Sequence, residues 1–397
     1  MKRKKIIIIG GGPAGLMAAE MLSPVHNVCI YDKEKNVGQK FLLAGKGGFN
    51  LTNSAQGEEL IGKYSPAGFM DKALSDFDSL ALRQWLSTIG ISTFVGSSGR
   101  VFPEKGIKPI DVLNTIKAKL IKQGVQFYTQ YEFVEFDNNR HITFKNQGQE
   151  IVLEADYIIF ALGGASWPVT GSNGLWRVVF ESMGIATQPF QPSNCGINIC
   201  WPEAVGQYHV GKPVKNIRLF TNDSEVKGEA VITDYGMEGN AVYPIVPAIR
   251  AMLNANIPAT IYIDFKPRNT GEQLLQKIKG KVVGTKDYGQ LFNLSTVQLA
   301  IIKAYTTKDS FLSVTEFIGS IKKLAIPVES LRPVEEAIST IGGIQLEEVN
   351  DDFSLKKYPW IYTIGEMLDW DAPTGGFLLQ GCFSMGNYAA QSILGKE

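Results

Sequence analysis

Residues 5–32 read KIIIIGGGPAGLMAAEMLSPVHNVCIYD, and this stretch decides the fold of the chain. Lys5–Ile9 is a short isoleucine-rich run, which predicts a buried strand. A Gly-x-Gly-x-x-Gly turn follows at residues 10–15, and apolar residues at helical spacing come next. A second predicted strand, residues 28–31, ends in Asp32. This order of strand, glycine turn, helix, strand and acid is typical of a dinucleotide-binding βαβ unit.

The residues of this turn suit a dinucleotide for separate physical reasons. Gly10 permits the tight turn, Gly12 lets the backbone approach a pyrophosphate, and Gly15 lets the helix pack closely on the strand. The helix N-terminus presents unpaired N–H groups and a partial positive charge to the phosphates. Asp32 can accept hydrogen bonds from the ribose hydroxyls. The pattern is common to NAD and FAD sites and does not separate the two cofactors.

A second glycine-rich segment follows the acid directly, over residues 38–53, GQKFLLAGKGGFNLTN. A simple dehydrogenase is expected to return to a helix at this point. A long glycine-rich loop instead indicates backbone wrapped around a larger, extended ligand, with a flexible surface loop as the alternative. The segment therefore favours a ligand longer than a nucleotide alone.

The composition is that of an ordinary globular protein with room for two or three domains. The chain has 397 residues, 44% hydrophobic and 20% charged, with 39 basic and 39 acidic side chains. Zero formal charge implies neither nucleic acid nor an acidic membrane as partner. Four cysteines without a Cys-x-x-Cys pair, and only three histidines, argue against a dithiol centre and a metal site. The apolar run near the N-terminus is too short for a signal peptide, so we expect a cytoplasmic protein.

The rest of the chain divides into segments that differ in their predicted secondary structure. Strand-like runs at short spacing between residues 125 and 153 predict an antiparallel meander. Residues 157–161 predict another buried strand, and small residues at its end leave space for a cofactor. We predict a first part of a dinucleotide-binding domain at residues 1–190 and an insert at 191–330, β-rich over 191–266 and helical over 267–330. The second part, 331–397, holds a strand ending in Gly365-Glu366 and a closing helix predicted over 381–394.

Several motifs together resemble one family over nearly the whole chain. They are GGGPAGLMAAE, GQKFLLAGKGGFNLTNS, GRVFPE, ALGGASWPVTGSNG, TDYGMEGNAVY and GEMLDWDAPTGGFLLQGCFSMGNYAA. The sequence resembles the BaiN/YhiN-like family of FAD-dependent oxidoreductases. The resemblance implies an α/β fold, with a Rossmann-like FAD-binding domain of the glutathione-reductase type. Its parallel sheet and antiparallel meander would be interrupted by an inserted β-barrel-like and small helical domain.

The resemblance also implies which residues hold a non-covalent FAD. The first glycine turn would bind the pyrophosphate, Asp32 and Lys33 would lie at the adenosine ribose, and the glycine-rich loop would line the flavin and diphosphate. Val134 would contact adenine through its backbone, and the last strand and helix would border the ribityl chain and ring. The implied cofactor-binding residues are Gly10, Gly12, Pro13, Ala14, Gly15, Asp32, Lys33, Gly38, Lys40, Gly45, Asn50, Thr52, Val134, Ala161, Gly163, Gly164, Gly365, Glu366, Gly376, Phe377 and Leu378.

The expected activity is hydride transfer between the flavin N5 and a small organic substrate, or between the flavin N5 and NADH or NADPH as a transient reductant. An oxidase of a small amine that uses oxygen is one alternative. A flavin-binding protein with a non-redox or RNA-modification role is another. Tyr235, in the turn Thr233-Asp234-Tyr235-Gly236, is our candidate catalytic residue, although a tyrosine in such a turn can also be purely structural.

Overall fold

The computed structural model describes residues 2–43 and 48–396. The chain divides into two compact units. Unit 1 comprises Met1–Gln191 and Ser339–Glu397, and unit 2 comprises Pro192–Ile338. Among the described residues, none of the helices combines the length and the apolar character that a membrane crossing requires.

Unit 1 is built on a five-stranded parallel sheet. The first strand pairs on both sides, with Ile9 opposite Phe160 on one neighbour and Tyr31 on the other. Its residues Ile6, Ile7 and Ile8 are fully buried, because helices and loops cover both faces of a parallel sheet. In spatial order the strands are Ile361–Thr363, Tyr157–Phe160, Lys5–Ile9, Asn27–Asp32 and Gln126–Thr129.

The meander predicted from residue 125 needs one correction. Gln126–Thr129 pairs in parallel with Asn27–Asp32, so it is the edge strand of the main sheet. The amphipathic helix Pro109–Lys122 precedes it, and a helical crossover is what a parallel connection requires. The antiparallel meander is therefore three-stranded: Glu132–Phe136, His141–Asn146 and Gln149–Glu154.

Shorter elements complete unit 1. Thr52–Asn53, Arg100–Pro103 and Thr93–Val95 form a small antiparallel sheet, and Thr187–Ser193 pairs with Ser339–Ile344. The helices of this unit are Pro13–Leu22, Gln39–Leu43, Gly57–Ile61, Asp71–Asp76, Ser79–Thr88, Pro109–Lys122, Trp176–Ser182 and Phe377–Gly395.

The first helix (Pro13–Leu22) packs against the last helix (Phe377–Gly395) with unusually close backbones. A Cβ on Gly386 would lie 2.3 Å from the carbonyl oxygen of Ala14, so only glycine fits at this crossing. The predicted start of the last helix near residue 381 is wrong. Gly376, at φ +101°, turns the chain directly into the helix at Phe377, and the apolar residues that follow continue its buried face.

Unit 2 has its own core and a curled antiparallel sheet of seven strands. Their order is Leu324–Val328, Ala259–Asp264, Pro213–Phe220, Glu225–Ile232, Gly236–Glu238, Ile197–Asn198 and Ser330–Leu331. The two edge strands are separated by one residue of chain, so the sheet curls round on itself like a barrel. The helices are Glu203–Gly206, Val246–Asn254, Gly271–Gln276, Tyr288–Leu291, Thr296–Ala304, Lys308–Leu312 and Val314–Lys322.

The prediction that residues 267–330 are wholly helical is wrong at its end. Leu324–Val328 is a strand whose side chains are alternately buried and exposed. A period of two is typical of a strand. Here it covers only five residues directly after a helix, so the sequence pattern did not separate the strand from that helix. This strand pairs antiparallel with Ala259–Asp264 and so belongs to the sheet of unit 2.

A polar cluster fixes the C-terminal end of the last helix and makes stability depend on pH. The Asp352 carboxylate accepts hydrogen bonds from Lys396 Nζ at 2.8 Å and Ser392 Oγ at 2.7 Å. Burial raises the pKa of Asp352, but these bonds and those from Ser354 outweigh it and hold the pKa below its usual range. A lowered folded pKa means stability that is present above the unfolded value, about pH 3.9, and is lost as the pH falls below it.

We therefore expect Asp352→Asn to be less stable than wild type at pH 6–7, and the difference to shrink as the pH falls below about 4. Urea unfolding at a series of pH values measures this. Asp351→Asn is the matched control, because its ion pair with Lys72 is exposed and should contribute little at any pH. A difference between wild type and Asp352→Asn that is constant from pH 7 to 3 would contradict the assignment.

Candidate functional site: a nucleotide pocket at the ends of the parallel strands

A pocket in unit 1 lies at the carboxyl ends of four neighbouring parallel strands, where ligands bind in open α/β sheets. Each of these strands contributes the residues that follow its last hydrogen-bonded pair. The predicted residues that line the pocket are Gly10, Gly12, Pro13, Ala14, Asp32, Lys33, Gly38, Lys40, Ala161, Gly163, Gly365 and Glu366.

The glycine turn contains two kinds of glycine. A Cβ on Gly10 would lie 2.2 Å from Ala161 O, and a Cβ on Gly15 would lie 2.2 Å from Gly10 O, so both are required by the fold. A Cβ on Gly12 would meet no described protein atom within 4 Å. Gly12 is also the N-cap of the first helix, and in the described part of the chain no side chain caps that start. The free backbone N–H groups at the start of this helix therefore face the pocket, as phosphate binding requires.

Asp32 closes the second strand as the sequence predicts, and its carboxylate also braces the turn. Oδ2 accepts from Gly11 N and Oδ1 accepts from Glu34 N, both at 2.9 Å. Burial raises the pKa of Asp32, while these backbone hydrogen bonds oppose that rise. A carboxylate has about four acceptor positions, so two are left for ribose hydroxyls.

An ion pair lies deeper in the pocket. Lys40 Nζ is 2.8 Å from Glu366 Oε2, and both side chains are partly buried. Cys382, on the last helix, also lines the pocket. Burial raises the pKa of its thiol, and the Glu366 charge raises it further, so this thiol stays protonated at neutral pH and is a poor nucleophile.

One end of the pocket is aromatic and apolar, and the residues that form it were not predicted from the sequence. Tyr131, Phe133 and Trp176 line this end, with Leu175 and Val179 beside them. The Trp176 indole N–H donates to Gly163 O at 3.0 Å, which holds the ring in place. Such a wall suits a flat heteroaromatic ring such as adenine. The available signal was the aromatic run immediately after the edge strand, since residues at strand ends line sites in this fold.

Gly45 lies outside the described residues, and the other remaining predicted cofactor residues do not line this pocket. Val134 lies in the meander strand beside the pocket residue Phe133, and Gly164 packs on Thr340. Gly15, as described, packs within the βαβ unit. The others gather at the start of the last helix: Asn50, Thr52, Gly376, Phe377 and Leu378.

The start of the last helix is held by buried polar contacts. Thr52 Oγ1 donates to Gln380 Oε1 at 2.6 Å, and Tyr64 OH donates to Phe377 O at 2.7 Å. A Cβ on Gly376 would lie 2.3 Å from the Thr52 backbone, so this glycine too is required by packing. A role for these residues at the flavin stays a prediction.

Tyr235, the candidate catalytic residue, belongs to unit 2. Its hydroxyl donates to Glu238 Oε2 at 2.5 Å, and the Arg332 guanidinium lies 4.2 Å from its ring centroid. Burial raises the pKa of Tyr235, and the hydrogen bond to Glu238 raises it further. The phenol therefore remains protonated at neutral pH. No catalytic role is tested by these contacts.

Comparison with known proteins decides the family. Residues 4–392 match the family described as HI0933-like protein Rossmann domain. The chain belongs to this family. The predicted BaiN/YhiN-like relationship and the Rossmann-like fold class are thereby confirmed, and the protein is an FAD-dependent oxidoreductase.

Relatives of the HI0933-like chain include proteins with different named activities. It is 24% identical to the 3-dehydro-bile acid delta(4,6)-reductase of Clostridium scindens, over 98% of each chain. It is also 24% identical to the ribosomal RNA dihydrouridine synthase of Haemophilus influenzae, again over 98% of each. Among solved structures, 3-ketosteroid delta1-dehydrogenase from Sterolibacterium denitrificans is similar with a TM-score of 0.52, 12% identity and 100% coverage of both chains. That last likeness supports the fold alone.

The Asp32 assignment gives a direct test of the pocket. We expect Asp32→Ala to weaken FAD binding by about 1.5–3 kcal/mol without unfolding the domain, since a charged hydrogen-bond acceptor is lost. Asp156→Ala is the matched control: Asp156 also accepts from a backbone N–H, that of Lys5 at 2.8 Å, but does not line the pocket. FAD titrations of both variants decide the matter, and equal affinities for Asp32→Ala and wild type would refute the role.

Proposed function

We propose that this protein transfers a hydride between a bound flavin and a carbon–carbon double bond conjugated to a carbonyl. The single observation behind the proposal concerns two relatives that match over 98% of their length. The name of each describes the saturation of a carbon–carbon double bond of this kind. A delta(4,6)-reductase of a 3-dehydro-bile acid saturates bonds conjugated to a ketone. A dihydrouridine synthase saturates the uracil bond conjugated to its C4 carbonyl. We take a small apolar carbonyl compound as the substrate class.

The residues of the pocket fit FAD. The uncapped helix start at Gly12 suits the pyrophosphate, Asp32 suits the ribose, and the aromatic end suits adenine. When bound, FAD supplies the hydride donor and acceptor at its N5 atom. The protein then has to bind the dinucleotide, orient the substrate and supply a proton. In this proposal NADH or NADPH is the transient reductant.

In our proposal the two segments of unit 1, residues 1–191 and 339–397, form the FAD-binding domain. Unit 2, residues 192–338, is then an insert in this domain. Tyr235 would donate a proton to the substrate carbon or carbonyl that gains negative charge. Because this proton is donated to Glu238 in the structure, the hydroxyl would have to turn from that carboxylate to the substrate, and the phenolate would then regain a proton from solvent. Tyr235→Phe should lower turnover and leave the affinity for FAD unchanged.

Anaerobic mixing of the purified yellow protein tests the activity. We expect NADH or NADPH to bleach the flavin absorbance, and an α,β-unsaturated ketone to restore it without oxygen. A panel of small amines is the control for the oxidase alternative. Bleaching by an amine, with recovery only when oxygen is admitted, would replace the proposed reductase by an amine oxidase.

One observation favours a uridine in RNA as a second candidate substrate. Although the whole chain is neutral, residues 266–323 of unit 2 hold ten lysines and arginines against four acidic residues. Among them Lys279, Lys281 and Lys286 are exposed. Clustered positive charge binds phosphate backbones. Replacing these three lysines by glutamine should weaken RNA binding and reduce its salt dependence, and loss of the gene should remove dihydrouridine from ribosomal RNA. Unchanged dihydrouridine would exclude this candidate.

A further inference from the structure

The charges that line the nucleotide pocket present a problem for any dinucleotide. The charged lining residues are Asp32, Lys33, Lys40, Glu132 and Glu366. Among the described lining residues, acidic groups therefore outnumber basic ones, although the pocket should accept a doubly negative pyrophosphate. Glu366 is one of these acids, and its side chain is only 14% exposed, so solvent screens its charge little.

Lys40 is placed to remove this conflict. Its Nζ lies 2.8 Å from Glu366 Oε2, and its own side chain is 25% exposed. The two residues are 326 positions apart in the chain, so the pair joins the short helix Gln39–Leu43 to the end of the last parallel strand. Lys33, the other cation among the described lining residues, follows Asp32 at the end of the second strand.

We propose that Lys40 is a positioning residue that makes Glu366 compatible with the dinucleotide, by neutralising and orienting its carboxylate. Glu366 then offers acceptor atoms to the hydroxyls of the ligand without repelling its phosphates. The inference rests on the assignment of FAD to this pocket, but not on the substrate. It differs from a direct contact between Lys40 and phosphate, because in that case the effect of Lys40 would not depend on Glu366.

A double-mutant cycle on FAD affinity distinguishes these two roles. The variants are Lys40→Met, Glu366→Gln and the double variant, prepared as apoprotein and titrated with FAD by calorimetry. We expect Lys40→Met alone to weaken FAD about tenfold or more, because it leaves the partly buried Glu366 carboxylate unpaired in the pocket that receives the dinucleotide. In the Glu366→Gln background the same change should cost about threefold or less, since no carboxylate remains to compensate.

Circular dichroism and thermal unfolding of each apoprotein show whether the variants are folded, and Lys33→Met gives the cost of losing the other lining cation. Loss of Lys40 that costs the same factor in both backgrounds would overturn the inference and leave the FAD assignment standing. Wild-type protein that binds no FAD would overturn both. If Lys40→Met does not fold, Lys40→Gln in the same two backgrounds provides the comparison.

Discussion

Gly10→Ala is expected to destabilise unit 1 by about 3 kcal/mol and to yield protein without flavin. Gly10 has φ +104°, which L side chains rarely adopt, and its Cβ would lie 2.2 Å from Ala161 O. That oxygen belongs to the backbone at the end of a central strand, so it cannot move without disturbing the sheet. Thermal unfolding of the apoprotein and the flavin content after purification measure the two effects.

Gly12→Ala is the matched control in the same turn. Gly12 has φ −79°, which alanine adopts freely, and its Cβ would meet no described protein atom within 4 Å. The apoprotein should therefore be as stable as wild type, while FAD affinity falls because the methyl group occupies the phosphate position. If Gly12→Ala binds FAD like wild type, the phosphates do not lie against this turn.

Gly386→Val is expected to lower the free energy of unfolding by about 3 kcal/mol, through the crossing of the first and last helices. The added Cβ would lie 2.3 Å from Ala14 O, and the two helices cannot separate without opening the core beneath them. Gly319→Ala is the control, because Gly319 is also within a helix but its Cβ would meet no described atom within 4 Å. That change should stabilise by about 0.5–1 kcal/mol. Urea unfolding measures the free energy of unfolding of both variants, and equal changes would contradict the close packing of the two helices at Gly386.

The opening of the chain could be predicted from the sequence because its signals are local. The strand, the glycine turn and the helix of the βαβ unit lie at Lys5–Ile9, residues 10–15 and Pro13–Leu22, close to where the pattern put them. Gln126–Thr129 was assigned to the wrong sheet, since a strand's partner is chosen by the whole fold and not by its own residues. The start of the last helix was missed because Gly376 turns the chain in a left-handed conformation, which no periodicity reveals.

The site residues that follow strand ends could be predicted from the sequence. Those that are brought together only by the tertiary fold could not. Gly10, Asp32 and Glu366 follow or end parallel strands, so the motif order alone places them near one another. The pairing of Lys40 with Glu366 joins residues 326 positions apart and has no signal in either segment alone. The aromatic end of the pocket was likewise missed, because Trp176 reaches it from a separate helix.

The account depends most on non-covalently bound FAD in the pocket of unit 1. The most direct measurement is to denature the purified wild-type protein, separate the released small molecules from the polypeptide, and identify them by mass and absorbance. We predict one FAD per chain in the small-molecule fraction, or stoichiometric uptake when FAD is added to colourless protein. Protein that neither carries nor takes up FAD, or flavin that remains with the polypeptide after denaturation, would contradict the account.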